Sequence, residues 1–428
     1  MREVLFLMNN KYKNIFEHKL NALLNYFTIS WSEPSRAAIF AIIAYSLFAF
    51  LRGTPWNLSN FPYFNYLADA FSNGQIFLRS LPPSVHDLSF FNGHYYLYWP
   101  PFPAILLIPF VALFGINVSD VFITIIIGGV NVGLVAAILK AGNQVSLFNL
   151  SILRRSLLVV FFAIGTVQLT LATRGKVWTT AQEIGFMLVA LTYLVAIKFK
   201  GRISFILAGV CMACALATRN HLIFAGIWPA WYLIRKHWTG ETGKMVGYWL
   251  PGLIPVVISG ILLIYYNFAR FGDPLEFGIT YHNMAEIFKA DYLKYGAFNL
   301  HYVPINLYFQ YISYPFLYNK DSFFQGGSLF LLSPVFLGVF SAIWIYRKEI
   351  SIWILIITIM LVNIPILLLM GTGWIQFGPR YSLDFTVPLL ILTAMGIQRW
   401  NRYLLITCFL ISIIHYITGF IILRTTFG

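Results

Sequence analysis

Charge is what this 428-residue chain has least of: only 10% of its residues are Asp, Glu, Lys or Arg, while 59% are hydrophobic. Soluble domains carry roughly 25% charged residues, so the shortage excludes an ordinary soluble fold and points to a polytopic membrane protein. Acid is scarcer still, 15 carboxylates against 29 Lys and Arg, for a formal net charge of +14. No basic tract and no aromatic–basic alternation in a soluble module accompanies that charge, which argues against nucleic acid as a partner. The three cysteines, Cys211, Cys214 and Cys408, lie inside hydrophobic runs. The Cys-x-x-Cys at 211–214 has no soluble redox fold around it and reads as core packing. Also missing are a Gly-rich phosphate loop, an internal repeat, a low-complexity tract and a cleavable signal peptide. The first 36 residues mix Lys, Arg and Glu with short apolar patches, as an amphipathic segment along the cytosolic face would.

What the chain has in abundance is apolar runs near the roughly 20 residues a membrane span needs. They cover 37–51, 101–116, 121–139, 156–172, 184–197, 203–217, 222–234, 246–266, 328–346, 352–370, 385–395 and 404–422. The expected fold is therefore an all-α polytopic membrane domain over 37–428, with roughly 11–13 transmembrane helices. Lys198/Lys200/Arg202, Arg235/Lys236/Lys244, Arg347/Lys348 and Arg399/Arg402 fall at alternate loops. The positive-inside rule puts them, and the N-terminus, in the cytosol of a plasma-membrane protein. Lys140, Arg154 and Arg155 break the alternation: two full crossings between 101 and 139 place Lys140 outside. Either a span there is re-entrant or broken, or the segment 144–153 changes the parity.

The remaining loops, 52–100, 173–183, 218–221, 267–321 and 371–384, then face outward. The first is too long for a connector and too aromatic for a disordered linker. Its polar stretch, 57–103, carries only two carboxylates, Asp69 and Asp87, and short amphipathic helices folding back on the membrane surface are expected of it. The other outer loops end helices in ionisable groups: Arg174, Lys176 and Glu183; Arg219 and His221; Arg380 and Asp384. Such groups at membrane depth are costly and are functional candidates by default. Together the loops are expected to ring one external cavity.

Four pieces resemble the GT-C glycosyltransferases that use polyprenyl-phosphate-linked sugars, the broad group of protein mannosyltransferases and aminoarabinose transferases. They are YFNYLADAFSNGQIFL…HDLSFFNGHYYLYWPPFPAILLIPFVALFG (63–115), FAIGTVQLTLATRGKVWTTAQEIGF (162–186), LATRNHLIFAGIWP (216–229), and YNFARFGDPLEFG (266–278) with SLFLLSPVF (328–336) and FGPRYSLDFTVPLL (377–390). Their order along almost the whole chain carries the likeness, which implies a GT-C fold and transfer of a sugar from a polyprenyl-phosphate donor to a glycan, lipid or protein acceptor on the external face. The family's general base is typically an acid early in the first external loop. Here that position falls near Asn60, neither Asp nor Glu: either the register of the likeness is shifted, or Asp69 or Asp87 takes the role, or the chemistry differs.

Such a transfer needs a base for the acceptor proton, cations for the departing phosphate and a greasy groove for the prenyl chain. Asp87 and Asp69 rank together as base, with Glu183 third. Each has a plain alternative: a solvated helix-face residue for Asp69, an N-cap or Asx-turn for Asp87, and compensation of a helix dipole for Glu183. Arg380 and Arg219 are the favoured phosphate contacts. Against them stand an Arg380–Asp384 pair one helical turn apart, and for Arg219 a favourable place at a helix C-terminus. Lys176, Tyr381 and Asn60 complete the polar set. Trp178, Trp374 and Tyr95 are candidates for stacking on sugar, although Trp and Tyr gather at membrane interfaces regardless. His221 could serve substrate or metal. No protein-bound metal is expected, and a loosely held divalent cation stays open. Competing readings are a transporter or flippase for a lipid-linked substrate, and a catalytically inactive GT-C-like assembly partner.

Overall fold

The computed structural model of the chain describes residues 26–53, 55–317, 324–373 and 375–427, and they are predominantly helical. Of the expected N-terminal amphipathic segment, residues 1–25 lie outside the described residues; 26–32 are helical. The main helices are α1 (Pro34–Arg52), α2 (Tyr63–Ser72), α3 (Phe102–Phe114), α4 (Asp120–Gln144), α5 (Ile152–Ile164), α6 (Gln168–Ala172), α7 (Val177–Lys198) and α8 (Arg202–Leu216). They continue with α9 (Ile227–His237), α10 (Thr242–Phe271), α11 (Glu286–Tyr295), α12 (Gly338–Tyr346), α13 (Ile350–Leu368), α14 (Thr386–Ile397) and α15 (Arg402–Phe427). Among the described residues six helices, α1, α4, α7, α10, α13 and α15, are long and apolar enough to cross a membrane. The other expected spans are shorter or broken. The run 156–172 is split at Gly165 between α5 and α6, and 222–234 begins in a 3-10 turn, Asn220–Gly226, before α9. The chain is a multi-pass membrane protein.

Burial sorts the helices. In α7, 83% of the apolar window is buried, so it runs through the middle of the bundle, whereas α10 buries 6% and forms the perimeter. Lipid is as apolar as Leu, so helices associate where small residues let their backbones approach. A Cβ on Gly209 of α8 would lie 1.9 Å from the carbonyl oxygen of Gly252 in α10; a larger residue at either position would separate the two helices.

The interrupted charge alternation has a structural cause. Lys140, near the end of α4, pairs with Glu33 at 2.8 Å, the residue that precedes α1. Arg154 donates to the Ile397 and Trp400 carbonyls at the end of α14, beside Arg399 and Arg402. These cations therefore share one end of the bundle. The start of α4 lies at the other: Ser119 donates to the Pro55 and Asn57 carbonyls, and Asp120 accepts from Ser59. The intervening α3 begins and ends at this second end as well. Phe102 N–H donates to the Ala217 carbonyl, and Asn65 Nδ2 donates to the carbonyls of Ile116 and Val118. The run 101–116 thus lies along this end rather than crossing. At 1.5 Å per residue its 13-residue helix reaches about 20 Å, short of a bilayer core of about 30 Å.

The first long loop is folded, not merely polar. It supplies α2 and an antiparallel hairpin, Ser89–Phe91 with His94–Tyr96. The connecting Asn92 and Gly93 both have positive φ, 48° and 79°, as a two-residue type I′ turn requires. The hairpin is stitched to the loop after α10: Ser89 bridges His282, Asp87 N–H donates to the Asn283 carbonyl, and Asn283 N–H donates back to Leu88. Arg270 at the end of α10 donates to the Leu97 carbonyl at 2.6 Å. Two segments almost 200 residues apart are thereby locked together.

Candidate active site

A cavity of about 750 Å³ opens at the loop end of the bundle. Every one of the five outer loops contributes to it: His86, Asp87 and Tyr98 from the first, Arg174, Lys176 and Trp178 from the second, Arg219 and His221 from the third, Phe277 to Phe298 from the fourth, and Gly371 to Tyr381 from the fifth. One part of the wall is charged, and the other is apolar, built from Phe224, Met284, Phe288, Phe298, Leu369 and Met370.

Asp87 sits where the chain turns into the hairpin, with φ at 63°. Few L-residues other than Asn and Asp visit this left-handed region readily, and held conformations of this kind cluster at functional sites. The turn aims the carboxylate into the cavity. Oδ2 accepts from Trp178 Nε1 at 3.0 Å, while Oδ1 lies 3.0 Å from His282 Nε2 and 3.3 Å from His86 Nε2. Those two contacts have ion-pair distances but are out of line for hydrogen bonds, and His282 Nε2 is otherwise unpartnered and buried. Among the described residues no group of three or more His, Cys, Asp or Glu is arranged to hold a metal ion. Both imidazoles lie beside one oxygen of Asp87.

Cations line the same cavity as this carboxylate. Arg380 has no carboxylate partner among the described residues; its Nη2 donates to Tyr381 Oη at 3.0 Å, its carbon Cζ lies 4.8 Å from that ring's centre, and its Nε is buried without a partner. Arg174 spends Nη1 on the Ile375 carbonyl at 3.3 Å. Ile375 is itself at φ 58°, a conformation costly for a β-branched residue. Burial, then Arg52 and Arg380 nearby, holds Arg174 well below the usual guanidinium range. Lys176 is lowered to about 8, by burial first and then by Arg174, Arg52 and Arg380, with Asp120 opposing. A cluster of cations that makes its own charges costly is a site prepared for an anion. Gly175 allows it to sit where it does: a Cβ there would lie 2.1 Å from Val121 N at the start of α4.

The other expected residues divide. Arg219 lines the cavity but is paired, Nη2 to Asp384 Oδ2 at 2.9 Å, and His221 Nε2 meets the same oxygen at 2.8 Å. Burial alone would raise Asp384, but Arg219 and His221 hold it below the usual carboxylate range. The pair expected between Arg380 and Asp384 is absent because 380–385 is a 3-10 turn. With three residues per turn, positions four apart are a third of a turn out of register. Tyr381 lines the cavity between Arg219 and Arg380, its ring in cation–π reach of both.

Asp69 stands elsewhere: on the outward side of α2 it pairs with Arg79 at 3.3 Å and lines no part of the cavity. Glu183 is placed neither in the cavity nor in the first turn of its helix. It lies nearly two turns into α7, fully buried, accepting from Asn131 Nδ2 at 2.7 Å and Gln168 Nε2 at 2.9 Å. Asn60 is exposed and outside the cavity lining. Tyr95 packs on Phe90 in the hairpin, away from the lining. Trp374 lies outside the described residues. The sequence reading missed His282 and Tyr98, which line the cavity. The histidine reaches Asp87 only through pairing between loops, for which the sequence carries no local signal.

No protein-family model and no curated protein matches the chain. Among solved structures its fold is that of GT-C membrane glycosyltransferases. The apo crystal structure of ArnT from Cupriavidus metallidurans is similar over 86% of this chain and 61% of that one, with TM-score 0.52 and 11% identity. ArnT bound to undecaprenyl phosphate aligns over 85% and 60%, at TM-score 0.45 and 13% identity. The Archaeoglobus fulgidus oligosaccharyltransferase in complex with Zn and sulfate aligns over 91% and 52%, at TM-score 0.46 and 12% identity. This chain therefore spans 61% of the length of apo ArnT. Likeness at such identity speaks for fold, and function has to be argued from the site.

Proposed function

We propose that the protein is a membrane glycosyltransferase moving a sugar from a polyprenyl-phosphate-linked donor to an acceptor hydroxyl, with the loop end of the bundle facing outside the plasma membrane. One observation carries this reading: a carboxylate and several cations share a cavity whose remaining wall is apolar. Asp87 takes the proton of the acceptor hydroxyl as its oxygen bonds to the anomeric carbon. The bond from that carbon to the phosphate oxygen breaks, and its electron pair stays on the phosphate. Arg380, Lys176 and Arg174 meet the developing charge. Trp178 and the two histidines keep the Asp87 carboxylate aimed. Arg219 and His221, tied to Asp384, shape the wall beneath Tyr381. Asn60, Asp69, Glu183 and Tyr95 have no place in this chemistry.

This sidedness is supported by the basic clusters at the opposite end, which include Lys140 and Arg154 because α3 does not cross. The acceptor is a glycan, lipid or protein hydroxyl. Two cofactor options are retained, none or a loosely held divalent ion, and chelation separates them. Transfer that survives chelator assigns the first, and loss restored by added Mg²⁺ assigns the second. The reading is tested by Asp87→Asn and Arg380→Gln made singly, with glycan transfer assayed in membranes. Both are expected to lose transfer; normal transfer in both would reject Asp87 and Arg380 as the catalytic machinery.

A further inference from the structure

A second, larger cleft of about 1060 Å³ lies at the basic end of the bundle, among the ends of α4, α9, α12 and α14 and the start of α13. Nothing in the proposed transfer uses it. Among its lining residues Phe148 and Met395 are buried. The polar groups beside them are spent on one another. Asn143 bonds the Leu150 amide in both directions, and Gln398 accepts from Asn149 N–H and donates to Tyr346 Oη and the Met395 carbonyl. Lys236 is also spent, on the carbonyls of Ala196, Ile197 and Phe199.

The rim differs. Arg235 touches the Trp231 ring, 5.4 Å from its centre, and neither it nor Lys348 has a carboxylate partner among the described residues. The adjacent acid, Glu349, gives no side-chain cap to α13, whose first turn, Ile350 and Ser351, faces the same cleft. Two cations without a carboxylate partner among the described residues thus line the cleft. A nucleobase or sugar would need several matched donors and acceptors, and Asn143, Gln398 and Lys236 are already bonded within the protein. A single anionic group carried on an apolar body needs only what is there. The rim also borders hydrocarbon, since Ile234, Trp344, Ile345, Ile350 and Trp353 at the same helix ends are exposed apolar residues.

We propose that this cleft binds the phosphate headgroup of an anionic membrane lipid, with Arg235 and Lys348 as its cationic contacts. Interfacial Trp231, Tyr232 and Tyr346 support the glycerol region. The site is independent of sugar transfer.

The test uses the full chain purified in neutral detergent and titrated with short-chain phosphatidylglycerol, phosphatidylcholine or inorganic phosphate, read by thermal midpoint and native mass spectrometry. Phosphatidylglycerol is expected to bind and stabilise, and phosphatidylcholine is not. Each basic residue near an anionic lipid is worth about fivefold in binding, so Arg235→Gln with Lys348→Gln should weaken it roughly 25-fold. Arg380→Gln should leave it unchanged. Equal phosphatidylglycerol binding by the double variant would overturn the site. The same shift with inorganic phosphate alone would overturn the lipid as its source. A co-purifying protein lost from the double variant, with no lipid effect, would assign the cleft to a protein partner instead.

Discussion

Lys176 offers a test of the anion site that needs no transfer assay. Its ammonium is lowered to about 8 by burial and by Arg174, Arg52 and Arg380. At that value about nine-tenths of the free protein carries the charge at pH 7 and about one-tenth at pH 9. If the charged form binds the donor phosphate, affinity falls about tenfold between those pH values. The ligand's charge hardly changes over this range, because a phosphate monoester takes its second ionisation near pH 6. Binding of polyprenyl phosphate to purified protein, at constant ionic strength, reads the slope. Lys176→Arg should bind equally well at both pH values, since a guanidinium stays charged. Lys176→Met should bind weakly at both. The sign for stability is opposite. Between about 8 and the ordinary 10.5 the unfolded chain holds a proton that the native state has released, so stability rises with pH there. Lys176→Met should therefore melt higher than wild type at pH 7. A wild-type pH slope surviving in Lys176→Met would refute the placement of the donor phosphate beside Lys176.

Asp87→Asn should lower transfer by about 100-fold or more while leaving donor binding intact, as removal of a general base does. Asp69→Asn should change neither transfer nor, by more than about 1 kcal/mol, stability, because its pair with Arg79 is partly exposed. Asp384→Asn strands a buried guanidinium and should cost about 3–5 kcal/mol, read as a lower thermal midpoint. Because Asp384 is held below its ordinary range, its contribution is complete at neutral pH and is lost as pH falls through the folded value. Asn65→Ala removes two bonds to the chain after α3 and should cost about 1–3 kcal/mol, with cleavage near 115–118 in limited proteolysis.

Much of the bundle was legible because hydrophobic runs mark helices whatever their partners. The run 101–116 misled by composition: it is as apolar as a span, yet both ends of its 13-residue helix lie at the same end of the bundle. The stranded Lys140 was the available sign of that, and its bond to Glu33 places it on the basic end. The Asn92–Gly93 hairpin was readable in principle from a Phe-Phe-Asn-Gly-His-Tyr-Tyr run, because type I′ turns favour Asn-Gly. The site was half legible. Residue type and loop position singled out Asp87, Lys176, Trp178, Arg219, Arg380 and Tyr381, and all of them line one cavity. Which acid points inward was not legible: it depends on a left-handed turn at Asp87 and on the outward face of α2 at Asp69. Nor was the pairing of Arg219 rather than Arg380 with Asp384, which follows from a 3-10 turn that one sequence does not announce.

The most direct measurement is a cryo-EM map of the protein saturated with polyprenyl phosphate. The phosphate should lie between Arg380, Lys176 and Arg174, with nitrogens about 2.7–2.9 Å from its oxygens. The prenyl chain should leave past the apolar wall formed by Phe288 and Leu369. A phosphate bound only at the basic-end cleft, with the Asp87 cavity empty, would contradict the central claim.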